Sequence, residues 1–145
     1  LATARELTEE DLPAVLAAAE HLRDRMIARG RALNAHVEVN ATELLARLLE
    51  EDTVVIIGDY LLAYHFVEGW LVPDARILQE TLVLRVTRQV GNSLRSVVRE
   101  MERIARDHGC VGIHVGTHGA DDERLGHVYQ KLGFKTAPAE FHKEI

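Results

Sequence analysis

Residues 85 to 106 hold six arginines, at positions 85, 88, 95, 99, 103 and 106, against two glutamates, Glu100 and Glu102. The segment is +4 and the rest of the 145-residue chain is −10, giving a formal net charge of −6 at pH 7. Guanidinium groups concentrated in this way can receive a small polyanion, while the acidic body disfavours tracking a nucleic-acid backbone. The four-residue spacing of Arg95, Arg99 and Arg103 equally fits the solvated face of a helix. Eight histidines invite a metal reading, above all His114, His118 and His127. No carboxylate or cysteine stands at a familiar ligand spacing with them, and His114 and His118 fall in a strand-to-loop stretch rather than on one helix face, so no metal is expected. Cys110, just after Gly109 at the start of an apolar run, reads as a packed thiol rather than a nucleophile. As the single cysteine it cannot close an internal disulfide, which suits a reducing compartment; cytoplasm is the expectation.

The elements that must position these residues follow from periodicity. With 47% hydrophobic and 28% charged residues, the composition is that of an ordinary globular chain, and residues 1–145 read as one domain without repeats or linkers. The stretch Leu1 to Leu12 is acidic, unlike a signal peptide, and no apolar run approaches the roughly 18 residues of a membrane span. A short strand is expected over Ala2 to Leu7. Thr8 and Asp11 then form a helix N-cap pair, followed at helical spacing by Leu12, Val15, Leu16, Ala19, Leu22 and Met26, with Gly30 as the stop. A second helix starts at Asn40 or Thr42 and buries Leu44, Leu45, Leu48 and Leu49. Thr53 to Ile57 and Tyr60 to Val67 form a hairpin around the turn Gly58-Asp59. Gly69 to Ala75 is a loop and Arg76 to Val86 a third long strand. Leu94, Val97, Val98, Met101, Ile104 and Ala105 give a helix closing at His108-Gly109. Val111 to Val115 is a strand, Leu125, Val128, Tyr129 and Leu132 mark a helix from Asp121 or Asp122 to Gly133, and a last strand covers Ala139 to Ile145. The class is α/β with a mixed sheet, in the order β-α-α-β-β-β-α-β-α-β.

With these elements in place, three stretches resemble the GNAT superfamily of N-acetyltransferases. Its pattern V-x-P-x-x-[RQ]-x-x-G-x-[GA] is met by Val83, Arg88 and Gly91, with Arg85 where Pro is common and Ser93 where Gly or Ala is expected. Ala105 to Cys110 resembles the family's "ARxxGC", and Tyr129-Gln130-Lys131-Leu132-Gly133-Phe134 resembles "LYxKLGF". Just upstream, Asp122 and Leu125 replace the usual Asn and Ala. The resemblance implies a mixed, largely antiparallel sheet flanked by helices, and acetyl coenzyme A bound by Leu82, Val83, Arg88, Gln89, Val90, Gly91, Asn92 and Ser93. A strand-to-helix turn suits a pyrophosphate on physical grounds too, because its unpaired N–H groups lie at the positive end of a helix dipole. Gly91 permits a tight turn and close approach, and Ser93 adds a Cβ and a hydroxyl, which either cost affinity or supply a hydrogen bond. Homodimers are common in this fold, and no residue fixes an interface.

Acetyl transfer to an amine needs a neutral nitrogen, a polarised thioester carbonyl and a proton for the departing thiolate. Glu80, three residues before Val83, stands where the family often places a carboxylate, a candidate base for the ammonium; alternatively it is a strand glutamate facing solvent, since Ile77 to Leu82 does not reveal the buried face. Tyr129 matches the family tyrosine that protonates the sulfur, although its place on the apolar stripe also suits simple packing. A backbone N–H near Val83 would stabilise the oxyanion, as the resemblance implies. The expected activity is acetyl transfer to a primary amine of a small molecule, peptide or protein; a catalytically silent binding module of the same fold is the alternative.

Overall fold

The computed structural model describes residues 2–28, 41–68, 74–116 and 122–136. Among them, strand β1 (Ala4–Glu6) leads through a 3-10 turn (Glu9–Asp11) into α1 (Leu12–Ala28). Then come α2 (Ala41–Glu51), β2 (Thr53–Ile57), β3 (Tyr60–Glu68), β4 (Arg76–Arg85), α3 (Leu94–Asp107), β5 (Gly112–His114) and α4 (Asp122–Lys131). This is the expected order. The Gly30 stop, the loop up to Pro73, His118 and the last strand Ala139 to Ile145 lie outside the described residues. The N-cap pair at the first helix forms as expected, Thr8 donating its N–H to the Asp11 carboxylate at 2.9 Å.

The five strands lie in chain order, antiparallel throughout except for the parallel pair β4–β5. Hydrophobic side chains cover both faces of the sheet, because alternate residues of β2 and β3 point opposite ways. Val54, Ile56, Leu61 and Ala63 pack with α1 and α2 through Val15, Ala19, Leu22, Leu45 and Leu48. Ile57, Leu62 and Tyr64 pack with α3 and α4 through Val97, Val98, Met101, Ile104 and Tyr129. One expected core residue is corrected. Leu49 is 50% exposed, since the face that α2 turns to the sheet is centred on Leu45 and Leu48 and leaves Leu49 at its outer edge, near the helix end.

Strand β4 changes face midway. Tyr64 pairs with Glu80 while Ala63 pairs with Leu82, so Thr81 is an extra residue, a β-bulge. Leu78 and Val83 consequently pack on the α3/α4 side, and Leu82 and Leu84 on the α1/α2 side. Beyond Gln79, its last pair with β5, β4 continues through residues 80–85 with no strand partner on that edge among the described residues. The two strands part where the bulge sits.

Candidate functional site

Glu80 is 2% exposed. Its cross-strand partner is Tyr64, which places the carboxylate on the α3/α4 side and settles the face that the sequence left open. Gly116, just past β5, donates its N–H to Glu80 Oε2 at 2.9 Å. A buried carboxylate therefore stands beside the gap between β4 and β5.

Tyr129 comes to the same place from α4. Its position is set by the helix end: the Gly133 N–H donates to the Gln130 carbonyl and the Phe134 N–H to the Tyr129 carbonyl, both at 3.1 Å. This is the glycine-terminated cap in which the residue after the glycine returns to the last turn. Gly133 has φ +95°, a value that costs glycine little. The accompanying apolar contact is also made, the Phe134 ring meeting the Tyr129 ring edge-on at 5.3 Å. The run "YQKLGF" is thus a helix cap that clamps the tyrosine. Tyr129 is 4% exposed, and its hydroxyl has no hydrogen-bond partner among the described residues. Burial, and then the nearby Glu80 charge, push its pKa well above the ordinary tyrosine value, which keeps the proton on the phenol.

At the end of β4 the turn 86–93 is fastened to the β2–β3 turn. Asp59 is fully buried. Its carboxylate accepts from the Thr87 hydroxyl at 2.5 Å, the Val90 N–H at 2.9 Å and the Gly91 N–H at 2.7 Å. Its backbone carbonyl accepts from the Val86 and Thr87 N–H groups at 2.7 and 3.2 Å. Burial by itself raises a carboxyl pKa, but the Thr87 hydroxyl, the two amides and the Arg85 guanidinium outweigh it and hold Asp59 below the ordinary carboxylate range. The stability this contributes is present above the unfolded-state pKa and lost only as pH falls through the lowered folded-state value. Asn92 closes the join, its Oδ1 accepting from the Asp59 N–H at 2.8 Å and its Nδ2 donating to the Ile57 carbonyl at 3.1 Å and to Ser96 Oγ at 2.8 Å.

Gly58 makes room for that amide. It has φ +60°, and a Cβ there would overlap the Asn92 side-chain amide at Oδ1. Gly58→Ala therefore strains the backbone and evicts the Asn92 side chain, an expected loss of roughly 2–3 kcal/mol, or about 10 °C in Tm. In an Asn92→Ala background the same substitution should cost only the backbone part, about 1 kcal/mol. Equal losses in the two backgrounds would show that the clash is relieved some other way.

The structure thus separates the sequence-expected site residues into groups. Glu80 and Tyr129 are brought together. Val83 packs beside them on the α3/α4 side, while Leu82 faces α1 and α2. Among the residues expected to hold the cofactor, Arg88, Gln89 and Ser93 are exposed at the turn and the start of α3, as is Val90, whose side chain is 62% exposed. The amides of Val90 and Gly91 and the side chain of Asn92, however, bind the protein itself. Of the arginines, Arg103 pairs with Glu100 and Asp107, and Arg106 with Glu102. Arg88, Arg95 and Arg99 are exposed, and a polyanion at the turn could draw on them.

Sequence reasoning missed Asp59, which looked like half of a hairpin turn. It also missed a pair on the other face of the sheet, where Asp52 Oδ1 lies 3.1 Å from His65 Nδ1. Thr81 Oγ1 lies 3.2 Å from the same nitrogen. An Asp–His–hydroxyl relay needs its partners on opposite ring nitrogens, so these three residues do not form one.

No protein-family model and no curated protein matches the sequence. Solved structures do. A tetramutant of the BH1408 protein of Bacillus halodurans superimposes with TM-score 0.74 at 15% identity, over 98% of this chain and 99% of that one. An acetyltransferase of Trypanosoma brucei gives 0.62 at 17% identity over 98% of both chains. A GNAT family acetyltransferase of Staphylococcus aureus gives 0.60 at 14% identity over 100% of both. With five strands, four helices and their order matching among the described residues, the chain has the fold of the GNAT superfamily of acetyltransferases.

Proposed function

We propose that this chain is an acetyl-coenzyme-A-dependent N-acetyltransferase acting on a primary amine of a small molecule, peptide or protein. The observation that carries this reading is the meeting of Glu80 and Tyr129 at the gap between β4 and β5. The phenol is buried, protonated and without a hydrogen-bond partner among the described residues. A buried hydroxyl normally finds a partner, and the thioester sulfur is the partner this reading supplies. Glu80 takes the proton of the acceptor ammonium, directly or through a water, and Tyr129 gives its proton to the departing thiolate. Backbone N–H groups of β4 near Val83, beyond the last pair with β5, polarise the thioester carbonyl. The phosphates lie at the start of α3, beside the Leu94 and Arg95 N–H groups, the next amide, Ser96, donating to the Ser93 carbonyl at 3.0 Å, within reach of the Arg88 and Arg95 side chains. No helix among the described residues is long and apolar enough to cross a membrane, and a homodimer is part of what the fold allows.

A second reading, a silent binding module of the same fold, draws on one observation: two amides of the expected phosphate turn are already bonded to Asp59. Thermal melting with and without acetyl coenzyme A, joined to an assay of thiol release over polyamines, aminoglycosides, amino acids and peptide N-termini, separates the two. The expected result is a Tm rise of several degrees at millimolar acetyl coenzyme A, since a ligand at about 100 times its Kd stabilises by about 2.7 kcal/mol, together with turnover of at least one amine. A Tm rise without turnover assigns the chain to the silent module. No rise at millimolar ligand removes the cofactor site.

A further inference from the structure

Resting on the acetyltransferase reading, we propose that Asp59 is the positioning residue of the cofactor turn. It acts as an internal counter-anion that consumes the Val90 and Gly91 amides, fixes residues 86–92 before ligand arrives, and leaves the phosphates to the Leu94 and Arg95 amides at the start of α3 and to the Arg88 and Arg95 side chains. Three observations support this. Asp59 is 0% exposed, so it cannot itself touch a ligand at the surface. The Val90 and Gly91 N–H groups end on its carboxylate at 2.9 and 2.7 Å, so they point into the protein. The β2–β3 turn and the cofactor turn are joined by further bonds from Asn92, Val86 and Thr87, so the carboxylate belongs to a built join. A free strand-to-helix turn would have to be ordered by the phosphates at the expense of binding free energy. A turn already ordered by an internal anion binds without that cost. The bond pattern also divides the expected glycine-turn residues by role, with Val90, Gly91 and Asn92 holding the frame and Ser93 and the first residues of α3 facing the ligand.

The experiment compares acetyl coenzyme A with S-acetylpantetheine, which carries the same thioester arm without the pyrophosphate, on the wild-type chain and on Asp59→Asn. Asparagine keeps the size and loses the charge, and its NH2 group opposes an amide donor. The expected result is a KM for acetyl coenzyme A raised about tenfold or more, kcat at saturation within about twofold, and an unchanged KM for S-acetylpantetheine. Amide hydrogen exchange at Val90 and Gly91 should accelerate in the variant. A merely structural role would move both thioesters alike. Equal shifts for the two, or no shift, overturn the proposal while leaving the acetyltransferase reading intact. Failure of the wild-type chain to bind acetyl coenzyme A overturns both. Should Asp59→Asn not fold, Thr87→Val removes one of the carboxylate's donors while the anion remains, and a rise of about two- to fourfold confined to acetyl coenzyme A is expected; equal effects on the two thioesters again overturn the proposal.

Discussion

Tyr129→Phe is expected to lower kcat by one to three orders of magnitude while barely changing the affinity for acetyl coenzyme A and without lowering Tm. The drop corresponds to roughly 1.4–4 kcal/mol of transition-state stabilisation. The lack of a stability penalty follows from the structure. The phenol oxygen is buried with no partner among the described residues, so phenylalanine removes a desolvated polar atom and leaves nothing unpaired. The Phe134 ring keeps its edge-on contact with the aromatic ring at 129. Tm is expected to stay level or rise. Steady-state kinetics with thiol detection, together with a melting curve, check both halves. Unchanged turnover would return Tyr129 to a packing role, and a fall in both activity and Tm would mean that the hydroxyl holds the fold together.

Glu80→Gln should lower kcat/KM by about two orders of magnitude near pH 7, the usual contribution of a positioned general base. The loss should shrink as pH rises towards the amine pKa of about 10, because the acceptor then arrives neutral without help. Glutamine retains an oxygen that can accept the Gly116 N–H, so the 2.9 Å bond from the loop after β5 can persist and the effect reads on proton transfer. The substitution also removes the negative charge that helps raise the Tyr129 pKa. The phenol then titrates at lower pH than in the wild type, visible as a shift in tyrosinate absorbance on alkaline titration. A pH-independent loss of rate would assign Glu80 to holding the loop at Gly116 instead of accepting a proton.

What was legible in the sequence was local. The Gly58-Asp59 hairpin, the α3 period from Leu94 to Ala105 and the helix end at Gly133 each lie within about a dozen residues, where spacing and turn chemistry decide the outcome. The α3 terminus at Gly109 formed as expected, with the Cys110 N–H donating to the Ala105 carbonyl at 2.8 Å. What was not legible depends on partners far along the chain. The three donors to the Asp59 carboxylate lie 28 to 32 residues away, so nothing near Asp59 marks it as buried. The face taken by Glu80 depends on the pairing with β3, because the bulge at Thr81 breaks the alternation that would otherwise place residues 78, 80, 82 and 84 on one side. Leu49 is the reverse case, an apolar residue in phase with a stripe that the helix nevertheless leaves half exposed.

The bulge at Thr81 makes β4 two half-strands of opposite phase spliced end to end. In the first half the inward residues, Leu78 and Glu80, answer to the C-terminal helices; in the second half Leu82 and Leu84 answer to the N-terminal ones. A single strand thereby serves two layers that can diverge independently. Exchanges in the layer assembled from α1 and α2 need not move the layer that holds the carboxylate and the phenol. Length, more than identity, is what the splice protects: a conservative exchange at Thr81 keeps the two phases apart, whereas losing that one position would merge them.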